Sequence, residues 1–233
     1  MKKRFAILIF LLMSAGYSFS QKGVKIGVTL MPLFSKASTL DTIPRTFSYR
    51  MKFGFGGGVN VLLGFAEKQG ITTGFYFIQK GFRVYNDSQK QIKNTFSNLE
   101  IPLGYTIRQT LSSSSFVRET FGAAVNFSLN KKTNEEFSNE KRSFRIIQEE
   151  KIKVYPMLYL GFEFGTQMHN GNMLFIGINY KQPFQSTSLL HVYNTSQNKP
   201  RLFDLGYRGS YIGIQVSYLF NLSNLKKPEE FFY

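Results

Sequence analysis

Residues 154–180 read VYPMLYLGFEFGTQMHNGNMLFIGINY, and this stretch decides the fold. In LYLGFEF every second residue is large and apolar, and Tyr159, Gly161 and Glu163 stand between them. The alternation resumes in LFIGINY, after the polar residues HNGN. A period of two is typical of β-strands whose two faces meet different surroundings. The stretch therefore predicts two strands joined by a tight turn.

The same period recurs in eight segments of the chain. One face of each segment is apolar and aromatic, and the other collects glycine and polar residues. Strands of about ten residues are long enough to cross a bilayer when tilted. We therefore predict a single all-β domain, an eight-stranded antiparallel up-and-down transmembrane β-barrel. The segments are 22–33, 47–65, 71–84, 97–108, 116–129, 153–168, 173–182 and 210–220.

The connections between these segments alternate strictly in length. Such alternation places all long loops at one end, as in bacterial outer-membrane barrels with short periplasmic turns. A soluble lipocalin-like barrel has no reason to segregate its loops, but it stays open as an alternative. We predict long polar loops at 34–46, 85–96, 130–152 and 183–209, and short turns at 66–70, 109–115 and 169–172.

The N-terminus has the order of a secretory signal peptide. Basic residues 2–4 precede an apolar run, 5–13, and a small-residue stretch, 14–20. The apolar run is too short to span a bilayer as a helix, which needs about 20 residues. We predict cleavage after Ser20, while a buried N-terminal helix is the alternative interpretation.

Export and the strand pattern together define three parts of the chain. We expect a signal peptide over 1–20, an outer-membrane barrel over 21–222 and a periplasmic tail over 223–233. Both ends of the mature chain then lie in the periplasm. The chain has no cysteine, so strand pairing and packing must stabilise it without disulfides.

The chain is strongly basic, with a formal charge of +15 that falls to +12 without Lys2, Lys3 and Arg4. The basic residues are scattered rather than clustered, and an exported protein rarely meets nucleic acid, so we expect no nucleic-acid partner. Outer-membrane lipid, anionic lipopolysaccharide and acidic glycans are better partners for this charge.

Three pieces of sequence carry a family resemblance: TGFYFIQKG at 73–81, LEIPL at 99–103 and FGA at 121–123. In order and spacing they resemble the PorT-like outer membrane protein β-barrel families of Bacteroidota. The resemblance implies an outer-membrane barrel of the kind often described only as a porin-family protein. It also implies contact with the barrel assembly machinery and, for PorT-type members, with protein-secretion and gliding machinery. The assembly signal is either the aromatic end of the last strand at Phe220 or the final residues 231–233.

The inner face of the predicted barrel carries charges that must pair or reach water. Eight strands leave a lumen only wide enough for side chains to fill, which favours a structural plug. An anion-selective path is the alternative, because basic groups outnumber acidic ones. The predicted lumen charge network is Arg50, Lys52, Lys80, Glu100, Arg108, Arg118 and Glu163.

The sequence gives little support for catalysis or for a bound cofactor. Ser186 and Ser188 precede His191, but the nearest acidic residue downstream is Asp204. Two distant histidines, His169 and His191, and no cysteine predict neither a metal site nor a catalytic residue. The run GFGGG at 54–58 lacks a following helix and a Gly-Lys-Ser/Thr, so it is not a phosphate loop. We expect it to bend a strand or to make room for a bulky lumen side chain.

These observations favour a non-enzymatic barrel with a structural, binding or assembly role and no cofactor. An accessory role in protein secretion is a narrower form of this hypothesis. A small-solute, anion-leaning channel and a soluble periplasmic ligand-binding barrel are the alternatives.

Overall fold

β-strands occupy most of the chain that the computed structural model describes, namely residues 23–35, 38–39, 47–66, 68–86, 91–129, 134–139, 142–150, 152–194 and 199–222. Within these ranges, no helix is long and apolar enough to span a membrane. The strands are β1 Val24–Ser35, β2 Ser38–Thr39, β3 Phe47–Gly64, β4 Gln69–Asn86, β5 Gln91–Thr110, β6 Ser115–Ser128, β7 Asn134–Asn139, β8 Arg142–Glu150, β9 Val154–Gln167, β10 Met173–Pro183, β11 Ser188–Asn194, β12 Lys199–Tyr207 and β13 Tyr211–Asn221.

Eight of these strands form a closed barrel, as the sequence predicts. The barrel order is β1-β13-β10-β9-β6-β5-β4-β3, and β3 pairs again with β1. Every neighbouring pair is antiparallel. Each barrel strand lies beside the barrel strands that precede and follow it in sequence, and β1 and β13 close the ring. The topology is therefore an up-and-down barrel without an open edge.

The two faces of the barrel strands differ as the alternation predicts. On β9, Phe162 and Phe164 are 45% and 53% exposed, whereas Glu163 between them is 2% exposed. An apolar band on the outside and polar side chains inside are what a lipid-embedded barrel requires. The outward residues include Val28, Leu30, Phe53, Phe55, Val59, Phe75, Leu103, Phe121, Ile176, Ile178, Ile212 and Phe220.

The connections give the barrel two unlike ends. At the turn end, residues 65–68, 111–114 and 168–172 join consecutive barrel strands. The other end, the loop end, carries 36–46, 87–90, 129–153 and 184–210. The connections 36–46, 129–153 and 184–210 are long, as predicted, but 87–90 is as short as the turns, so the strict alternation of long and short connections does not hold.

The prediction of long polar loops is wrong in its detail, because much of this sequence forms strands. The predicted loop at 85–96 is mostly a continuation of β4 and β5, which leaves only 87–90 as their connection. The other long connections contribute β2, β7, β8, β11 and β12. These strands pair in the order β2-β12-β11-β8-β7 as a second sheet, which we call the cap sheet. These strands are hard to recognise in the sequence because they are short and stand in long stretches rich in polar residues, although apolar residues alternate in β11 and β12.

A bulge in β3 corrects one predicted face. Pairing with β4 shifts by one residue between Met51 and Phe55, so β3 has one residue more than its partner there. A one-residue shift reverses which side chains face inward. Beyond the bulge Tyr49 pairs with inward-facing Val84 and packs inside, although the alternation places it outside. Arg50, predicted inside, is exposed and lies over the outer-face ring of Tyr85 at 5.0 Å.

The predicted ends of the chain lie outside the described residues. The signal peptide over 1–20 falls entirely before Gly23, and the tail over 223–233 falls entirely after Leu222. Both stay predictions.

Candidate functional site

The centre of the lumen holds a hydrogen-bonded network around Glu100. Glu100 is fully buried on the inner face of β5, and its carboxylate forms an ion pair with Lys181 of β10. The Tyr211 hydroxyl of β13 donates to Glu100 Oε2 at 2.9 Å. The side-chain amide of Asn126 on β6 donates to the same oxygen at 3.2 Å. These charge-assisted bonds tie four barrel strands together across the lumen.

Aromatic rings surround the buried ammonium group of Lys181. Its Nζ atom lies 4.5 Å from the ring centroid of Tyr159 and 5.4 Å from that of Tyr76. The negative faces of the rings add to the attraction from the carboxylate. Lys181 is therefore held by its neighbours rather than lining an aqueous path.

Lys80 is bound in a similar way, nearer the loop end. It is 1% exposed, and its Nζ atom donates to the backbone oxygen of Gly209 at 2.8 Å. The same Nζ atom lies 5.1 Å from the ring centroid of Tyr211. Because Gly209 lies between β12 and β13, this bond also links the barrel wall to the segment that follows the cap sheet.

A second ion pair joins the neighbouring strands β6 and β9 on the inner wall of the lumen, nearer the turn end. Nε and Nη2 of Arg118 contact Glu163 Oε2 at 2.7 Å and 2.5 Å. The guanidinium carbon lies 3.7 Å from the ring centroid of Phe175 on β10. Both charged side chains are almost fully buried, so each depends on the other for compensation.

The three remaining charges of the predicted network lie apart from these pairs. Arg108 is half-buried at the turn end, with its guanidinium carbon 5.1 Å from the ring centroid of Phe116. Lys52 is half-buried beside the β3 bulge, and its Nζ atom donates to the backbone oxygen of Asn94 at 3.3 Å. Arg50 lies on the outer face. The structure therefore brings Lys80, Glu100, Arg118 and Glu163 into the lumen interior and leaves these three at its margins.

Lys181 is missing from the predicted network, although it is the ion-pair partner of Glu100. The alternation of the seventh segment already places Lys181 on the inner face, with Gly177 and Asn179. The alternation does not show which inner-face side chains meet across the lumen. β10 and β5 are not neighbouring strands, and their side chains come together only in the closed barrel.

Apolar layers fill the lumen between the charged groups. Gly56 on β3, within the run at 54–58, makes room for one layer, because a Cβ atom there would lie 2.5 Å from Ile78 Cδ1. Gly165 on β9 makes room for another, since its Cβ atom would lie 2.4 Å from the ring of Phe116. The middle layer contains Met31, Leu33, Tyr76, Ile78, Ala124, Tyr155, Met157 and Tyr211, and the layer at the turn end contains Phe116, Met173, Phe175 and Leu219.

The loop end of the lumen is closed by a cluster shared between barrel and cap sheet. Phe82, Val84 and Phe96 come from the inner faces of β4 and β5, and the ring of Phe96 stacks on Tyr207 of β12 at 4.2 Å. Burial raises the pKa of the Tyr207 hydroxyl, because an apolar surrounding disfavours its ionised form. The cap cluster is Phe82, Val84, Phe96, Leu190, Val192, Phe203, Leu205 and Tyr207.

Comparison with protein families identifies the class of this barrel. A family model described as "Outer membrane protein beta-barrel domain" matches residues 15–189. The chain belongs to this family. It is therefore an outer-membrane β-barrel, and the transmembrane interpretation of its apolar band is supported. Comparison with curated proteins gives no match.

This outer-membrane β-barrel aligns with solved structures of other proteins. OprG from Pseudomonas aeruginosa aligns with a TM-score of 0.52 at 12% identity, covering 85% of this chain and 96% of OprG. Ail of Yersinia pestis, described as an attachment invasion locus protein, aligns with a TM-score of 0.37 at 13% identity. That alignment covers 85% of this chain and 97% of Ail. The likeness to OprG is one of fold alone.

The histidine that raised the catalytic alternative lies in the cap sheet of this outer-membrane β-barrel. His191 Nδ1 lies 2.8 Å from Asp204 Oδ1, and its Nε2 atom lies 3.1 Å from Glu149 Oε2. With a carboxylate at each ring nitrogen, His191 has no nitrogen left to activate a serine. Ser188 lies three residues away in β11, on the opposite face of the strand.

The geometry around these residues gives no metal site either. In the described part of the chain, no group of three or more His, Cys, Asp or Glu side chains is placed to hold a metal ion. The lumen and the cap, rather than a catalytic centre, are the candidate functional features of the molecule.

Proposed function

We propose that this outer-membrane β-barrel is a non-enzymatic protein with a closed lumen that presents its cap sheet for binding outside the cell. The observation that carries the proposal is the cap cluster, which closes the loop end of the lumen with buried aliphatic and aromatic side chains. Below it, the Glu100–Lys181 and Arg118–Glu163 pairs occupy the interior. A lumen filled in this way supports the barrel and its cap rather than solute passage.

The architecture of the cap sheet supports a binding role. Nearly all of its strands come from the connections 129–153 and 184–210, which outer-membrane barrels place on the outer side. In the part of the chain that is described, β7 at 134–139 pairs with β8 and with no other strand. An edge strand of this kind is a site at which another chain adds by backbone hydrogen bonds. Lipopolysaccharide is the other partner that the basic charge of the chain favours.

The sequence also suggests a narrower role, that of an accessory in protein secretion. A PorT-like origin in Bacteroidota makes a secretion accessory the specific form of the binding role. Purification from isolated outer membranes in mild detergent tests whether the protein has this accessory role. Secretion subunits in the purified complex support the accessory role, and a clean monomer counts against it.

A small-solute channel is the second candidate function. The observation in its favour is the excess of cations among the described buried residues of the lumen, where Lys80, Arg118 and Lys181 outnumber Glu100 and Glu163. Such an excess is typical of anion-selective pores. The lysines and Arg118 are, however, bound to oxygens and rings inside packed layers, which makes the closed lumen the better conclusion.

Site-specific labelling tests the proposed location of the cap. Because the chain has no cysteine, a single introduced thiol is labelled at one known place. Arg208, exposed in the segment between β12 and β13, and Ser112, exposed in the turn at 111–114, mark the two ends. We expect a membrane-impermeant maleimide to label Arg208→Cys on intact cells and Ser112→Cys only after lysis. The reverse pattern, or equal labelling of both variants on intact cells, would contradict an outward-facing cap.

A further inference from the structure

A cavity of about 440 Å³ opens at the turn end of the barrel, opposite the cap sheet. Its walls come from β1, β3, β4, β5, β6, β9 and β10, and the turn residues Ala66 and Lys68 contribute to its mouth. A volume of this size lies in the range of small-molecule sites. The lining residues that carry the argument are Lys25, Lys68, Arg108, Arg118, Phe116 and Phe175.

The charge of the cavity is entirely positive. Lys25, Lys68, Arg108 and Arg118 line it, and its described lining includes no Asp or Glu. Glu163 contacts two guanidinium nitrogens of Arg118, but it is not among the residues that line the cavity. With Arg118 compensated by Glu163, the other three cations still leave this concave surface positive, and it attracts an anion because the low-dielectric walls concentrate the field.

Two arginines that line this cavity each have a guanidinium nitrogen with unused hydrogen-bonding capacity. Arg118 Nη1 and Arg108 Nε are buried and have no hydrogen-bond partner among the described residues. Arg118 itself is only 4% exposed. A buried charged donor without an acceptor is costly, and an anion in the cavity relieves that cost when the guanidinium turns toward it. The planar guanidinium is suited to the two oxygens of a carboxylate or phosphate.

The remaining wall of the cavity is apolar. Phe116, Met173 and Phe175 are buried side chains of the turn-end layer, and Leu62 packs against them. All four line the cavity. When the anionic group of a ligand reaches the arginines, the rest of the ligand therefore contacts an aromatic and aliphatic surface.

We propose that this cavity binds a small organic anion, with a carboxylate or phosphate monoester at the arginines and an apolar body against the Phe116–Phe175 wall. The ligand enters from the turn end, which is the periplasmic side in the proposed orientation. The site shares Arg118 and the turn-end layer with the filled lumen, but it does not depend on the cap, which lies farther along the barrel. A barrel that binds nothing at its cap leaves this inference unchanged.

Calorimetric titration of the full-length protein in zwitterionic nanodiscs tests the site. The probes are benzoate, phenyl phosphate, inorganic phosphate and neutral benzyl alcohol. We expect benzoate or phenyl phosphate to bind with one site per barrel, and the tighter of the two identifies the head group. Inorganic phosphate, which lacks the apolar body, is expected to bind at least about tenfold more weakly. Benzyl alcohol binding as tightly as the anions would overturn the proposal.

Matched arginine variants localise the binding. Arg108→Gln is expected to weaken binding of the better probe about tenfold, since a charge-assisted bond is lost. Arg50→Gln makes the same charge change at the loop end and is expected to leave the affinity unchanged. If Arg108→Gln fails to fold, Lys68→Gln at the exposed mouth replaces it, with a loss of about threefold expected from a solvated charge. Equal affinity for the wild type and the cavity variant would overturn the proposal.

Discussion

Replacing Glu100 with leucine is expected to lower the free energy of unfolding by about 3–5 kcal/mol, the cost of breaking a buried ion pair on one side. The substitution removes the carboxylate that accepts from Lys181, Tyr211 and Asn126. Lys181 then remains buried without its counter-charge. Urea titration in lipid vesicles measures the change by circular dichroism, which suits a chain without tryptophan.

A double variant and a matched control separate the ion pair from general damage. Glu100→Leu combined with Lys181→Met is expected to recover most of the loss, because a pair of apolar side chains leaves no charge buried alone. Glu119→Leu changes a half-buried acid on the same barrel, and we expect an effect within about 0.5 kcal/mol. If the double variant is no more stable than Glu100→Leu alone, the loss in the single variant does not come from breaking the Glu100–Lys181 ion pair.

Phe82→Ala is expected to destabilise the protein by about 3–5 kcal/mol and to loosen the cap sheet, because it leaves a cavity in the cap cluster. Phe82 is fully buried, and its ring centroid lies 5.3 Å from that of Tyr207 in β12. Removing the ring takes away one of the ring contacts between the barrel wall and the cap and leaves the Phe96–Tyr207 stack. Hydrogen exchange measures the second effect, as a loss of protection of amides in β11 and β12.

Phe75→Ala is the control for this prediction. Phe75 lies on β4 like Phe82, but its side chain faces outward and is 51% exposed. Its removal costs lipid contact without opening a cavity, so exchange in β11 and β12 is expected to match the wild type. Equal loss of protection in both variants would mean that Phe82 does not hold the cap on the barrel.

The barrel itself could be predicted from the sequence because the two faces of each strand have different surroundings, lipid outside and a packed lumen inside. Lipid requires Phe162 and Phe164 on one face, and the narrow lumen requires Glu163 and Gly165 on the other. Each barrel strand carries this signal locally, and the segregated connections set the topology. The buried positions of Lys80, Glu100, Arg118 and Glu163 follow from the same alternation.

What the sequence does not give depends on register and on longer-range pairing. The bulge near Met51 is invisible to a period of two, so the inner and outer assignments of Tyr49 and Arg50 are reversed. The contact between Lys181 and Glu100 arises across the lumen, from strands that are not neighbours in the barrel. The cap sheet is missed because its strands are short and stand among polar residues, and the facing of His191 and Asp204 follows only once β11 and β12 are paired.

Planar-bilayer conductance of the purified full-length protein tests the closed lumen most directly. A porin of known conductance, added to the same bilayer, shows that insertion and detection work. The packed layers and the cap cluster predict no reproducible current steps above the baseline, whatever the salt. Steps that recur at a fixed size, scale with the amount of protein and favour anions would contradict the closed lumen and support the channel.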